Sequence, residues 1–515
     1  MKQETDTYTR RKINIAYVLF VVLAGFWAQE ARGEALKCPS FFGSNMVLQR
    51  QKPVPLWGWA TPGATVTVRF AGQEKNGTAG PDGRWAVTLD AMEANAKGQT
   101  LTVQTGNERI KMRDVLVGEV WLASGQSNMA MLLKNSSMPK EELAKLEKPL
   151  VRIITVREKL SALPEVDVNG SWETLNPKSA PRSSAVACYF AMTLQDQLQV
   201  PIGILSASRG GTRCETWTAA EGFDLVPELK EQADSVRALH AKAIQAAQSS
   251  KSAKPPKIHP KGTPGVNYNA MIHPMVGTAI RGAIWYQGES NTGDGRVYEK
   301  KMQALIGGWR ALWKLGDFPF YFVQLAPWSR HRALNLGLIW EAQLHASRSI
   351  PNSGMVVTTD IGDINDVHAK NKKDVGERLA LWALAKDYPE TKLTGDLLGK
   401  SKTGKAADLV YSGPLYTGYK IEGKKIIISF EHAESGLTIK GEALRDITIM
   451  GEGDKKFVPA VATIDGSTLV VTHPDGKTPL HVRMGWEPSA QPNLANKEGL
   501  PASPFRTDKL SQKLR

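Results

Sequence analysis

The stretch that most constrains this chain runs Val115-Leu116-Val117-Gly118-Glu119-Val120-Trp121-Leu122-Ala123-Ser124-Gly125-Gln126-Ser127-Asn128-Met129. Its apolar and β-branched residues predict a buried strand. The strand stops in a Gly-x-Ser turn, so the sheet would hold the Ser127 hydroxyl at its carboxyl edge, where open α/β sheets bind ligands. Gly125-Gln126-Ser127 matches the start of the G-x-S-x-G elbow, while Asn128-Met129 replaces its close. Ser124 still lies on the strand and is the weaker candidate.

The rest of the chain is read outward from that strand. From about 114, strands at 151–156, 201–206, 283–286, 318–325 and 355–359 alternate with helical periodicity at 185–198, 229–247, 297–314, 339–348 and 374–386. Such alternation predicts a doubly wound α/β domain, here 114–395. Before it, short alternating runs at 54–59, 65–70, 84–89 and 101–103, punctuated by Pro62-Gly63 and Asp82-Gly83, predict an N-terminal β-sandwich over 35–113. After it, alternation at 420–430, 437–439 and 468–471 predicts a C-terminal β domain within 396–515. Its aperiodic tail, 485–506, is expected to lie as a strap over another domain. The Lys-, Pro-, Ser- and Gly-rich segment 249–265 reads as a loop. A length of 515 residues exceeds what one core can hold.

Composition excludes several classes. The formal charge is +14, with basic clusters at 251–261 and 370–373, and reads as a solvated surface. Neither zinc-type spacing nor a stripe of interleaved aromatic and basic residues is present in the sequence. The expectation is therefore no metal, no cofactor and no nucleic-acid partner. Cys38, Cys188 and Cys214 cannot form a disulfide framework, and the last two read as buried packing residues. Arg10-Arg11-Lys12 precedes an apolar run at 13–28, with Ala31 and Gly33 in a cleavage-like pattern. Residues 1–33 therefore read as a signal peptide, implying export to the periplasm or outside the cell, with no membrane association beyond that signal.

Hydrolysing an ester through a serine needs a general base, an acid to orient it, and donors for the oxyanion. The strand at 355–359 runs into Asp360-Ile361-Gly362-Asp363-Ile364-Asn365-Asp366-Val367-His368 at the same sheet edge. His368 is the candidate base there, with Asp366 as its orienting acid and Asp363 second. His273 is the runner-up, with no acid near it in sequence. For the oxyanion, the N–H of Gly211 in Gly210-Gly211 and the side-chain amides of Gln287 and Asn291 are candidates. Arg209 and Arg213 flank the glycine pair and could receive a carboxylate on the substrate. Trp217 is expected on an exposed loop, where it would suit a non-catalytic glycan-binding protein.

Four blocks, Gly125-Gln126-Ser127-Asn128-Met129, Gly210-Gly211-Thr212, Trp285-Tyr286-Gln287-Gly288-Glu289-Ser290-Asn291 and Asp366-Val367-His368, resemble those of the sialate O-acetylesterase family in order. Met46 to Arg50 and Asn496 to Arg506 are also similar to that family. The resemblance implies an SGNH-hydrolase-like three-layer α/β/α catalytic domain with accessory β-sandwich regions at both ends. It further implies a metal-free enzyme that removes O-acetyl groups from sugars, sialic acid being the expected substrate and acetylated xylan or another neutral polysaccharide the alternative. Three positions depart from the pattern. Ala369 follows His368 where the family commonly has proline, Asn365 stands where wider relatives place the triad aspartate, and Arg209 stands where tryptophan is frequent.

Overall fold

The computed structural model describes residues 35–249, 255–331 and 333–509, so the export segment expected at 1–33 lies outside the described residues. The N-terminal region holds strands β1 (Val47–Gln49), β2 (Val54–Trp59), β3 (Thr65–Phe70), β4 (Gln73–Thr78), β5 (Arg84–Leu89) and β6 (Asn95–Thr105). β2 pairs with β5, and β3 lies between β4 and β6, all antiparallel. Sequence periodicity missed β4 because Gln-Glu-Lys-Asn-Gly-Thr has no apolar residue to alternate, and none of its residues is buried. Its ladder to β3 holds it in place, aided by a Thr67 Oγ1 to Asn76 Oδ1 hydrogen bond of 2.7 Å.

β7 (Glu108–Gly125) is the axis of the molecule. Its first half pairs antiparallel with β6, and its second half enters the central sheet. The domain boundary expected at 113/114 therefore falls inside one 18-residue strand. Its cause is a backbone ladder that continues across the change in sequence pattern.

The central sheet continues with β8 (Lys148–Thr155), β9 (Trp172–Leu175), β10 (Ile202–Ser208), β11 (Gly282–Tyr286), β12 (Phe320–Val323) and β13 (Ser353–Val356). Their order is β13-β12-β11-β7-β10-β8-β9, parallel throughout except for β9 at the edge. From β7 the chain builds one side of the sheet, then returns past β7 to build the other. That reversal makes a topological switch point at the carboxyl ends of β7, β10 and β11, the usual ligand site of such sheets.

The main helices are α1 (Ala185–Leu198), α2 (Lys230–Gln248), α3 (Val297–Trp313), α4 (Ala333–Ser349) and α5 (Lys373–Asp387). Ser184 caps α1 by accepting the Ala187 N–H at 3.3 Å. Neighbouring strand residues point to opposite faces, and Phe320 and Tyr321 illustrate it. Phe320 meets Trp309 of α3 with ring centroids 5.8 Å apart, and Tyr321 meets Trp382 of α5 at the same separation. Trp121 of β7 packs on Phe190 of α1 at 5.1 Å. The protein is thus a mixed α/β fold around a central, mostly parallel sheet.

The C-terminal region has its own buried cluster, with Ile426, Ile428, Leu469, Val471 and Val482 at its centre. The alternation at 420–430 belongs to a hairpin, Leu415–Glu422 and Lys425–Glu431, turning at Gly423 with φ +57°. The tail crosses back to the sheet region. Gln324 Nε2 donates to Ser503 Oγ at 2.9 Å, and Arg506 pairs with Glu341 of α4 at 2.8 Å.

Candidate active site

Parallel register places Gly125 opposite Ser208 of β10 and Tyr286 of β11, so three loops leave the sheet side by side. Gly125 has φ +139°, and a Cβ there would stand 2.2 Å from the Tyr286 carbonyl oxygen. Only glycine allows the strands to close so near the turn. Gln126 N–H donates to that same carbonyl at 2.9 Å, and one helical turn, Ser127–Ala130, follows. Ser127 is partly exposed at its start, while Asn128 and Met129 are buried. Ser124 is fully buried, with its Oγ unpartnered among the described residues. The fold therefore presents Ser127 to an incoming molecule and withholds Ser124.

The turn after β10 faces Ser127: a Cβ on Gly210 would stand 3.6 Å from the Ser127 Cβ. Gly211 follows with φ +70°. Thr212 Oγ1 donates to the Arg209 carbonyl at 2.9 Å, closing the turn, and accepts Trp217 Nε1–H at 2.8 Å. Trp217 is therefore not on an exposed loop. It is fully buried, its indole filling the core below the glycine turn against Trp285.

The amides of Gln287 and Asn291 require a correction. Gln287 Nε2 lies 2.7 Å from Asn291 Oδ1, 3.1 Å from Gln126 Oε1 and 3.1 Å from the Thr212 carbonyl oxygen. Asn291 Nδ2 donates to Glu215 Oε2 at 2.8 Å and to Asp294 Oδ2 at 2.6 Å. Both residues are fully buried and every side-chain N–H is taken, so neither offers a donor to an oxyanion. They brace the loops instead: Gln287 joins the Ser127 turn to the glycine turn, and Asn291 accepts the Cys214 N–H at 2.9 Å.

Arg213 is also committed elsewhere. Its Nη2 lies 2.6 Å from Asp294 and 3.2 Å from Glu215, two acids that Lys301 also binds at 2.6 and 2.5 Å. Burial alone would raise the Asp294 carboxyl, but these cations and Asn291 hold it below the usual range. Arg209 has a single longer contact, 3.4 Å to the half-exposed Glu158. Lys261, which sequence reading passed over as one of a loop cluster, reaches the glycine turn. Its Cε and Nζ would stand 3.1 and 3.3 Å from a Cβ on Gly211.

The loop after β13 brings His368 to the same edge. Asn128 Nδ2 donates to the Val367 carbonyl at 2.9 Å, so the residue after Ser127 is tied to the residue before His368. Asp366 Oδ1 accepts the His368 N–H at 2.9 Å and stands 3.9 Å from His368 Nδ1. Asp363 Oδ1 accepts the Asn365 N–H at 2.8 Å, shaping the preceding turn. His273 is engaged elsewhere, its Nδ1 against the Glu165 carbonyl at 2.8 Å, and burial lowers its pKa.

One set of neighbours was missed. Glu289 is half-buried; its Oε1 accepts an N–H from Asn128, and its enclosed Oε2 has no hydrogen-bond partner among the described residues. Burial pushes its carboxyl up, while Asn128 and the charges of Lys372 and His368 pull it back. Lys372, fully buried, donates to Asn128 Oδ1 at 2.5 Å and lies 5.2 Å from the Tyr286 ring centre. Burial brings its ammonium down to about 8. Sequence offered only a weak signal: Lys372 stands in a basic run that reads as solvent-facing.

A family model described as carbohydrate esterase, sialic acid-specific acetylesterase, matches residues 117–385. The sialate O-acetylesterase of Rattus norvegicus is 29% identical over 508 residues, covering 89% of this chain and 90% of that protein. That of Mus musculus is 32% identical over 410 residues, covering 70% and 75%. Among solved structures, a carbohydrate acetylesterase from Xanthomonas citri superposes with a TM-score of 0.78 at 31% identity, covering 92% of this chain and all of that one.

Proposed function

Because this chain belongs to the carbohydrate-esterase family of sialic acid-specific acetylesterases, and so is a carboxylic ester hydrolase that removes O-acetyl groups from carbohydrates, we propose that Ser127 and His368 carry the reaction. The carrying observation is the link between Asn128 Nδ2 and the Val367 carbonyl, which fastens the loops of the two residues together. Ser127 Oγ bonds to the acetyl carbon as its proton passes to His368. The Gly211 N–H, next in the turn to the Gly210 that faces Ser127, serves the tetrahedral oxyanion. Collapse expels the sugar oxygen, which takes the proton from His368. Water then attacks the acetyl-serine, giving its proton to His368, and acetate leaves as Ser127 regains its hydrogen. Asp366 stands 3.9 Å from His368 Nδ1 and would close on it as the imidazolium forms. We read the helix-covered sheet as the SGNH-type α/β/α layering and the flanking β regions as accessory sandwiches. Ser127→Ala is expected to lower turnover on an acetyl ester by about 10⁴-fold or more. Turnover within tenfold of wild type would remove this mechanism.

The reading extends to substrate and compartment. A sugar acid needs a cation beside Ser127, and Arg209 with Lys261 on the glycine turn meets that need, whereas Arg213 is held by two carboxylates. Acetate release is to be compared on O-acetylated sialic acid, acetyl-xylan and a small acetyl ester. Arg209→Ala with Lys261→Ala is expected to reduce the sialate rate alone; equal rates on all three substrates would leave a neutral sugar as the natural one. With Trp217 buried, the glycan-binding alternative loses its exposed aromatic. Export follows from the 1–33 segment, and amino-terminal sequencing of protein recovered outside the cytoplasm checks it: a mature start near residue 34 is expected.

A further inference from the structure

Lys372 is a costly residue to bury, and its surroundings explain why it is there. An ammonium loses several kcal/mol of hydration inside a protein unless anions and hydrogen-bond acceptors replace the water. Here the replacements are Asn128 Oδ1 at 2.5 Å, the face of Tyr286, and the charges of Glu289 and Asp366. Asn128 is the pivot. Its oxygen takes the Lys372 proton donor, and its nitrogen donates to both the Glu289 carboxylate and the Val367 carbonyl. With its oxygen held by a cation, the orientation of that amide is set, and both N–H groups must point toward Glu289 and the His368 loop.

We propose that Lys372 is a positioning residue for the ester hydrolysis: through Asn128 it holds the Glu289 carboxyl group in place and docks the His368 loop on the Ser127 turn. The proposal rests on the reading of His368 as the base. The second oxygen of Glu289, enclosed and without a hydrogen-bond partner among the described residues, leaves the charge of that carboxyl group to act on an imidazolium forming at His368. Among the described residues, the charged and titratable groups that act on the set are these. Glu289 is faced by Lys372, His368 and the phenols of Tyr286 and Tyr298; Lys372 by Glu289 and Asp366; His368 by Asp366 and Glu289. Removing the lysine takes a cation from a coupled carboxyl–imidazole pair, so the pair binds its proton more tightly. Removing the glutamate charge takes an anion from His368, and the opposite follows.

The experiment is kcat/KM against pH, from about pH 5 to about pH 10, on a small acetyl ester. Wild type, Lys372→Met, Glu289→Gln and the double variant are compared, with His368→Ala in parallel. Lys372→Met is expected to raise the midpoint of the acid limb and Glu289→Gln to lower it, each by about half a pH unit or more. The kcat of Lys372→Met should fall about tenfold or more with KM within about twofold. The double variant should bring the midpoint back toward wild type, because the two changes act on one pair. Midpoints that stay put, or that move the same way in both single variants, overturn the proposal. If Lys372→Met fails to fold, Glu289→Gln decides alone, and a midpoint that does not fall is fatal. Turnover surviving in His368→Ala would instead sink the assignment of the base, a separate result.

Discussion

Asp387 sits at the end of α5, below the opposite edge of the sheet from the site, and it invites a stability experiment. Its carboxylate accepts the Tyr321 hydroxyl at 2.7 Å. Burial raises its pKa from 3.8 to about 7, only partly offset by Tyr321, Arg281 and Lys52, with Glu119 adding to the rise. The fold therefore binds this proton more tightly than the unfolded chain does. Below about pH 4 both states are protonated and Asp387 costs nothing. Between about pH 4 and pH 7 the unfolded chain ionises first, so stability falls as pH rises, and above about pH 7 the full cost remains. The gap from 3.8 to about 7 corresponds to about 4 kcal/mol. Partial solvent access at the helix end trims that to roughly 2–4 kcal/mol. Asp387→Asn keeps an acceptor for Tyr321 and removes the charge. Urea denaturation at pH 8 should show the variant more stable than wild type by roughly 2–4 kcal/mol, with the gain shrinking to near zero at pH 4. A variant no more stable at pH 8, or a gain equal at both pH values, would refute the reasoning.

Gly125→Ala would drive a Cβ to 2.2 Å from the Tyr286 oxygen at a φ of +139°, and is expected to destabilise by about 2–4 kcal/mol, read by thermal melting, with activity lost alongside. Lys301→Met leaves Glu215 and Asp294 with the Asn291 amide and one cation among the described residues, the partly exposed Arg213, and should cost about 3–5 kcal/mol in denaturant. Arg213→Ala should leave the ratio of sialate to neutral-sugar kcat/KM unchanged, because its guanidinium faces Asp294 and Glu215; a selective loss on sialate would return it to the binding site.

Local pattern alone determined the elements whose burial is periodic. The helix at Ala185–Leu198 falls where the sequence spacing predicts it, and the strand ending at Gly125 is legible from an apolar run broken by glycine. Position along that strand also settles which serine can be presented, since Ser127 follows the turn and Ser124 precedes it. Tertiary structure decided everything that depends on partners distant in sequence. Gln287, Asn291 and Arg213 have the right chemistry for a site, yet their polar groups are used up by Gln126, Thr212, Glu215 and Asp294. A buried polar group must be satisfied by whatever the fold brings near it, and no spacing rule announces that partner. Trp217 went inward because the glycine turn offered Thr212 Oγ1 to its indole, and β4 formed because β3 offered a ladder to a segment with no apolar face. Lys372 reads in sequence as one more surface cation; only the fold, which sets this residue just before α5 against the Ser127 turn, makes it a buried partner of Asn128.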